Sequence, residues 1–119
     1  MLNILTPDLI FEDGRGSLVQ LVHEGYSQMN VVKSLKGAVR GRHYHKTNKE
    51  AFYIIEGKLN ARLLKDGQEE FYEFSAGDMF EILPGVLHET EFLTDCVMIV
   101  MYDMGVELPD GLKDIYNEQ

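Results

Sequence analysis

RGRHYHKTNKE, residues 40–50, sets two histidines two positions apart and a glutamate five positions after the second. Along a strand, residues i and i+2 share a face, so His43 and His45 point the same way. Glu50 is an odd number of residues from both, and an unbroken strand would aim it at the opposite face. The polar, turn-like segment Lys46-Thr47-Asn48-Lys49 breaks that parity, and Glu50 then opens the apolar run AFYII. Read this way, two neighbouring strands converge His43, His45 and Glu50 on one point.

The rest of the chain has the same texture of short strands split by turn signals. Strands are expected over 18–22, 29–34, 39–45, 51–56, 59–64, 70–74, 79–83, 87–92 and 97–102. Gly25, Gly37, Gly57, Asp66-Gly67, Gly77-Asp78 and Pro84-Gly85 stand at the breaks. Such spacing predicts an all-β sandwich or barrel. IIEGKLNARLL, residues 54–64, reads as a hairpin closing at Glu56-Gly57, with Leu59, Ala61 and Leu63 on one face of its second arm. The segment 103–119 is acidic and carries PDG; a lid, a short helix and a packed arm all suit it. No repeat or linker divides the 119 residues, so a single domain 1–119 is expected, its barrel at about 18–102.

Composition narrows the function classes. The net charge of −9 argues against nucleic-acid binding. Yet Lys33, Lys36, Arg40, Arg42, Lys46 and Lys49 fall in one window without an acid among them, six of the eleven basic residues. That window surrounds the histidines and suits an anionic small molecule, although solvated strand residues would look the same. One cysteine excludes an internal disulfide. The first residues lack a basic leader, and no apolar run approaches membrane-spanning length. The expectation is a cytoplasmic protein with no membrane partner.

A third histidine, His88, follows the turn Pro84-Gly85 in LPGVLHE. It would stand near the start of a strand opposite His43 and His45. Three imidazoles and a carboxylate, without thiolate, suit one divalent transition metal: manganese, iron, nickel, cobalt, zinc or copper. Four protein ligands on an octahedral ion leave two positions for substrate or water, as catalysis requires. Each of these histidines alone would more simply be a polar residue, as His23 is read; the conjunction carries the reading.

GAVRGRHYHKTNKEAFYIIEG, residues 37–57, resembles the first cupin motif, and GDMFEILPGVLH, residues 77–88, resembles the second. In the latter Leu83 takes the usual proline position, with Pro84 shifted by one, and Phe92 stands where asparagine often ends the motif. The resemblance implies a single small cupin β-barrel (a double-stranded β-helix or jelly roll). It further implies a metal held inside by His43, His45, Glu50 and His88, and a homodimer.

Two more stretches are similar to the epimerases and 3,4-ketoisomerases that act on dTDP-deoxysugars: FEDGRGSL at 11–18 and KGAVRGRHY at 36–44. By that resemblance Arg15 and Arg40 contact the phosphates or the sugar, and His43 is the catalytic base that removes a proton α to a ketone. Imidazole suits that task near neutral pH. Arg40 and His43 differ in parity, so reaching one pocket requires a bulge, for which Gly41 is the place. The pocket departs from the epimerases: Glu50 replaces a lysine, His45 a glutamine, and their acid tyrosine aligns with Met101, leaving Tyr102 expected to face away. A metal-dependent isomerase or epimerase of a sugar or sugar nucleotide is therefore expected. The alternatives are a metal-dependent dioxygenase, recognised by substrate-dependent oxygen uptake, and a non-catalytic sugar- or small-molecule-binding cupin, recognised by binding without turnover.

Overall fold

The fold comes from a computed structural model that describes residues 1–117. Among the described residues it is all strand and loop, with no helix long and apolar enough to cross a membrane. Twelve strands form: β1 (Leu2–Leu5), β2 (Leu9–Asp13), β3 (Gly16–Gln20), β4 (Gln28–Ser34), β5 (Val39–Tyr44), β6 (Glu50–Glu56), β7 (Lys58–Lys65), β8 (Gln68–Ser75), β9 (Met79–Ile82), β10 (Leu87–Phe92), β11 (Cys96–Tyr102) and β12 (Tyr116–Asn117). One sheet runs β1-β9-β6-β11-β4 and a second β12-β5-β10-β7-β8, every pairing antiparallel; among the described residues β2 and β3 pair only with each other. The all-β expectation holds, and all nine expected strands are present.

The alternation in β7 decides which face is inside. Leu59, Ala61 and Leu63 are buried in the core, where they meet Ile54 and Phe80 across from them. Phe52, Phe80, Phe74 and Tyr72 add a column of stacked rings, with 3.9 Å between the Phe74 and Phe80 centroids. A second cluster, Ala51, Met79 and Met101, is buried under Leu21, Val22 and Tyr26. Both faces of the β11 end are thus covered. Met79, Met98 and Met101 fill core, whereas Met104 is exposed.

One connection differs from the sequence reading. β6 and β7 do not form a hairpin; they belong to different sheets, and the chain crosses between them at Gly57. Gly57 has φ 99°, and a Cβ there would stand 2.3 Å from the Asp95 carbonyl oxygen. The same glycine signal that marks a tight turn here marks a corner pressed against another backbone. The hairpin lies one strand later, where β7 pairs with β8 around Asp66-Gly67.

The segment after β11 is a packed arm. It returns to the second sheet, where β12 pairs with β5 and Tyr116 stacks on Tyr44, 5.4 Å between centroids. Residues 118–119 of the tail lie outside the described residues.

Candidate metal centre and ligand cavity

His43, His45, Glu50 and His88 come together, each offering one ligand atom, and these atoms lie within 4.8 Å of one another. β5 and β10 are antiparallel neighbours with His43 opposite His88. His45 follows β5 directly, and the turn 46–49 returns the chain so that Glu50 opens β6 on the same interior. The parity break expected at 46–49 is what the structure has.

The hydrogen bonds assign the imidazole tautomers. His45 Nδ1 is 2.6 Å from the Asp114 carbonyl oxygen, and His88 Nδ1 is 3.2 Å from that of Val86. A carbonyl only accepts, so both Nδ1 atoms carry the proton. Each Nε2 then turns its lone pair inward, and each lies 3.0 Å from Glu50 Oε1. Lone pairs converging on a carboxylate oxygen need a cation between them, either a proton or a metal ion. Imidazoles held through Nδ1–H to backbone carbonyls are the usual support of metal-ligating histidines. The residues present therefore fit a divalent metal.

Without a metal, protons on Nε2 take that place and donate to Glu50. Burial alone would raise the pKa of Glu50, but its bonds to His45 and His88 outweigh burial and hold the carboxylate well below its ordinary range. Burial pulls His45 down, and Glu50 with the Asp114 carbonyl more than reverses it, so His45 titrates above its ordinary value. His43 is half-buried; burial and the facing His88 push its pKa to about 4, against a smaller pull from Glu50. Near neutrality His43 is therefore an uncharged imidazole with a lone pair to give.

A cavity of about 390 Å³ opens from this cluster, with His43, Glu50 and His88 in its wall. Val32, Phe52, Met98 and Val100 make it largely apolar, and Arg40 adds positive charge. The bulge expected at Gly41 is present: His88 faces His43 while Glu89 faces Gly41, leaving Arg42 as the extra residue. Gly41 has φ 97°, and a Cβ would meet the His88 carbonyl oxygen at 2.7 Å. The extra residue brings Arg40 and His43 to the same cavity despite their odd spacing. Arg40 is braced there by Ser34 Oγ at 2.8 Å and the Lys33 carbonyl at 3.0 Å.

The basic window does not stay together. Arg42 turns away to Glu89 at 2.8 Å, and the Lys46 ammonium sits 4.1 Å over the Tyr116 ring. Of the six basic residues, Arg40 alone lines this cavity. Arg15 lies outside the cavity wall, at the tip of the β2–β3 hairpin, where it pairs with Asp13 at 2.7 Å.

Tyr102 corrects the sequence reading. It faces inward, lines the cavity, and donates to Glu50 Oε2 at 2.9 Å, while Met101 belongs to the cluster on the opposite face. Burial and the Glu50 charge push the phenol far above its ordinary pKa, so it remains a donor. Asp114 and Asn48 were also missed; both are buried, and they are partners of one another across 66 residues.

The fold has solved counterparts. The dTDP-4-dehydrorhamnose 3,5-epimerase from Sulfolobus tokodaii is 20% identical with a TM-score of 0.71, covering 85% of this chain and 69% of that one. The sugar 3,4-ketoisomerase QdtA from Thermoanaerobacterium thermosaccharolyticum, solved with TDP, is 21% identical with a TM-score of 0.74, covering 86% and 80%. CapF, solved with the inhibitor 3-isopropenyl-tropolone, is 28% identical with a TM-score of 0.66; the match covers 93% of this chain and 34% of CapF. No match was found among curated proteins. The chain thus has the cupin jelly-roll fold that these epimerases and ketoisomerases also use. A family profile described as the polysaccharide biosynthesis C-terminal domain matches residues 11–105, and the chain belongs to that family.

Proposed function

We propose that this cupin binds one divalent transition metal through His43, His45, Glu50 and His88 and isomerises or epimerises a sugar nucleotide. The convergence of those four donors on the wall of a cavity that also carries Arg40 is the observation behind this reading. When bound, such an ion supplies positive charge for a developing enolate. Arg40 holds an anionic part of the ligand, and the apolar wall excludes water from the reacting carbons. The counterparts in the same fold are named for dTDP-sugar epimerisation and 3,4-ketoisomerisation. CapF's inhibitor is a tropolone, whose adjacent carbonyl and hydroxyl oxygens form a chelating pair.

His43 supports a second reading, because an uncharged imidazole on the cavity wall is also a good proton acceptor. One nitrogen cannot hold a metal and take a proton. Replacement His43→Asn separates the two: reduced metal uptake supports ligation, while unchanged uptake with lost turnover supports the base.

Metal content comes first, by mass spectrometry on untagged protein purified without chelator. The metal-loaded protein is then incubated in D2O with a nucleotide-linked 4-keto-6-deoxy sugar. Deuterium entering the carbon beside the ketone supports the proposal. Near-stoichiometric metal without ligand binding or exchange sinks the isomerase assignment, and protein that refuses every divalent metal sinks the four-donor site. Arg40→Ala is expected to weaken ligand binding about tenfold or more, the loss of one charge-assisted contact.

We also propose a homodimer. β2 and β3 expose Leu9, Ile10, Phe11 and Leu18 and, among the described residues, pair with no other strand. In that dimer one copy's hairpin brings Arg15 to another copy's cavity. A single monomeric mass in light scattering would remove both statements.

A further inference from the structure

The turn between His45 and Glu50 has no regular structure, yet all four of its backbone N–H groups are taken by acids far along the chain. Lys46 N donates to Asp114 Oδ1 at 2.9 Å; Thr47 N and Asn48 N donate to Asp114 Oδ2 at 3.0 Å each. Lys49 N donates to Asp103 Oδ1 at 2.9 Å. The fully buried Asn48 side chain closes the arrangement. Its Nδ2 donates to Asp114 Oδ2 and to the Gly105 carbonyl, each at 2.9 Å, and its Oδ1 accepts from Met104 N at 3.0 Å.

Asp114 acts at two points at once. Its carboxylate, 0% exposed, receives four N–H donors from the turn, and its own carbonyl oxygen accepts the His45 Nδ1 proton. A carboxylate without solvent exposure is costly unless fully hydrogen-bonded, and apolar packing would anchor a tail at less cost. Here the charge is aimed at the one loop that spaces two of the four converging donors. Burial alone would raise the Asp114 pKa; the bonds from Asn48 and the turn outweigh it.

We infer that Asp114 is a positioning residue of the centre: its carboxylate sets the 46–48 turn, and its carbonyl holds His45 with Nε2 turned toward Glu50 and His88. The C-terminal arm is then part of the site. The inference rests on the metal reading above for its consequence, which is that metal binding and order in the arm are linked and each strengthens the other.

The test uses the full chain, with Co2+ or Zn2+ alone as probe. Asp114→Asn keeps the size and replaces one acceptor oxygen by a donor. Affinity for Co2+ is expected to fall about tenfold or more, as for other outer partners of metal ligands. In the metal-free variant, nitrogen and proton chemical shifts are expected to show the His45 Nδ1–H losing its hydrogen bond to a carbonyl, while that of His88, held by Val86, keeps its own. A folded variant with Co2+ affinity within about twofold of wild type and an unchanged His45 overturns the inference. Should the variant not fold, hydrogen exchange on the wild type decides. Zn2+ slowing exchange at Lys46, Thr47 and Asn48 supports the inference, and unchanged exchange in protein that has bound Zn2+ overturns it. Failure of the metal reading looks different: wild type takes up neither ion, and the chemical-shift comparison alone then decides for or against Asp114.

Discussion

The turn at 46–49 and the β2–β3 hairpin are both small local structures, and they are held in opposite ways. Each backbone N–H of the turn donates to Asp114 or Asp103, and Asn48 beside them is fully buried. The hairpin has its own ladder and little else. Leu9, Ile10, Phe11 and Leu18 are all half exposed or more, on both of its faces. A lone two-stranded hairpin is marginal in water. The turn is therefore determined within one chain, and the hairpin's apolar surface is left for something outside it.

That contrast is broken most directly by adding a methyl group to each kind of region. Gly57→Ala places Cβ against the Asp95 carbonyl at a left-handed φ. A loss of roughly 3 kcal/mol or more is expected, from strain plus a forced backbone shift. Gly14, at the hairpin turn, has nothing within 4 Å of its would-be Cβ, and Gly14→Ala is expected to stay within about 0.5 kcal/mol. Urea unfolding of the two variants checks this. Similar small losses would mean that the corner between β6 and β7 yields more easily than its packing suggests.

The same contrast explains what could be read from the sequence. Period-two alternation and the spacing HxH…E…H are local or motif-like, so the strands, the four converging residues and the bulge at Gly41 were legible. Gly57 was misread because a hairpin turn and a sheet crossing use the same glycine; only the Asp95 backbone, distant in sequence, tells them apart. Tyr102 was misread because both faces of β11 are buried where it lies, so hydrophobicity no longer marks the inner side. Asp114 carries no local signal, since its partners lie 66 to 69 residues upstream. β2 carries no such signal, because its apolar residues do not mark a buried face.

A smaller effect is expected within the site itself. Tyr102→Phe keeps the ring against His45 and removes the hydroxyl that donates to Glu50 Oε2. Loss of a buried hydrogen bond to a charged group is worth about 1.5–3 kcal/mol, and thermal unfolding of the metal-free protein is the measurement. An unchanged midpoint would show that Glu50 finds another partner and that the centre is less tightly determined than the turn below it.

The hairpin is expected to answer differently. Phe11→Ser with Leu18→Ser removes two apolar side chains that are exposed by 52% and 56%. Monomer stability should change by less than about 1 kcal/mol, because little area returns to water. The mass in solution should fall to that of one chain if the hairpin is a contact between copies. A large stability loss at a concentration where wild type is already monomeric would mean that the hairpin packs on its own chain after all.

Arg42→Gly is the finest discrimination, because its terms nearly cancel. Arg42 is the extra residue of the bulge, at φ 63°, a left-handed conformation that costs a side chain about 1–2 kcal/mol and glycine almost nothing. Against that relief, the variant loses the Glu89 pair, whose arginine side is 67% exposed, so about 0.2–1 kcal/mol goes with it. Glycine's extra freedom when unfolded costs about 0.5–1 kcal/mol more. The sum lies near zero, and Arg40 and His43 should still line one cavity, so ligand affinity should not move. A loss above about 2 kcal/mol would exceed both costs together and show that the arginine, rather than the backbone of the bulge, keeps those two side chains on the same wall.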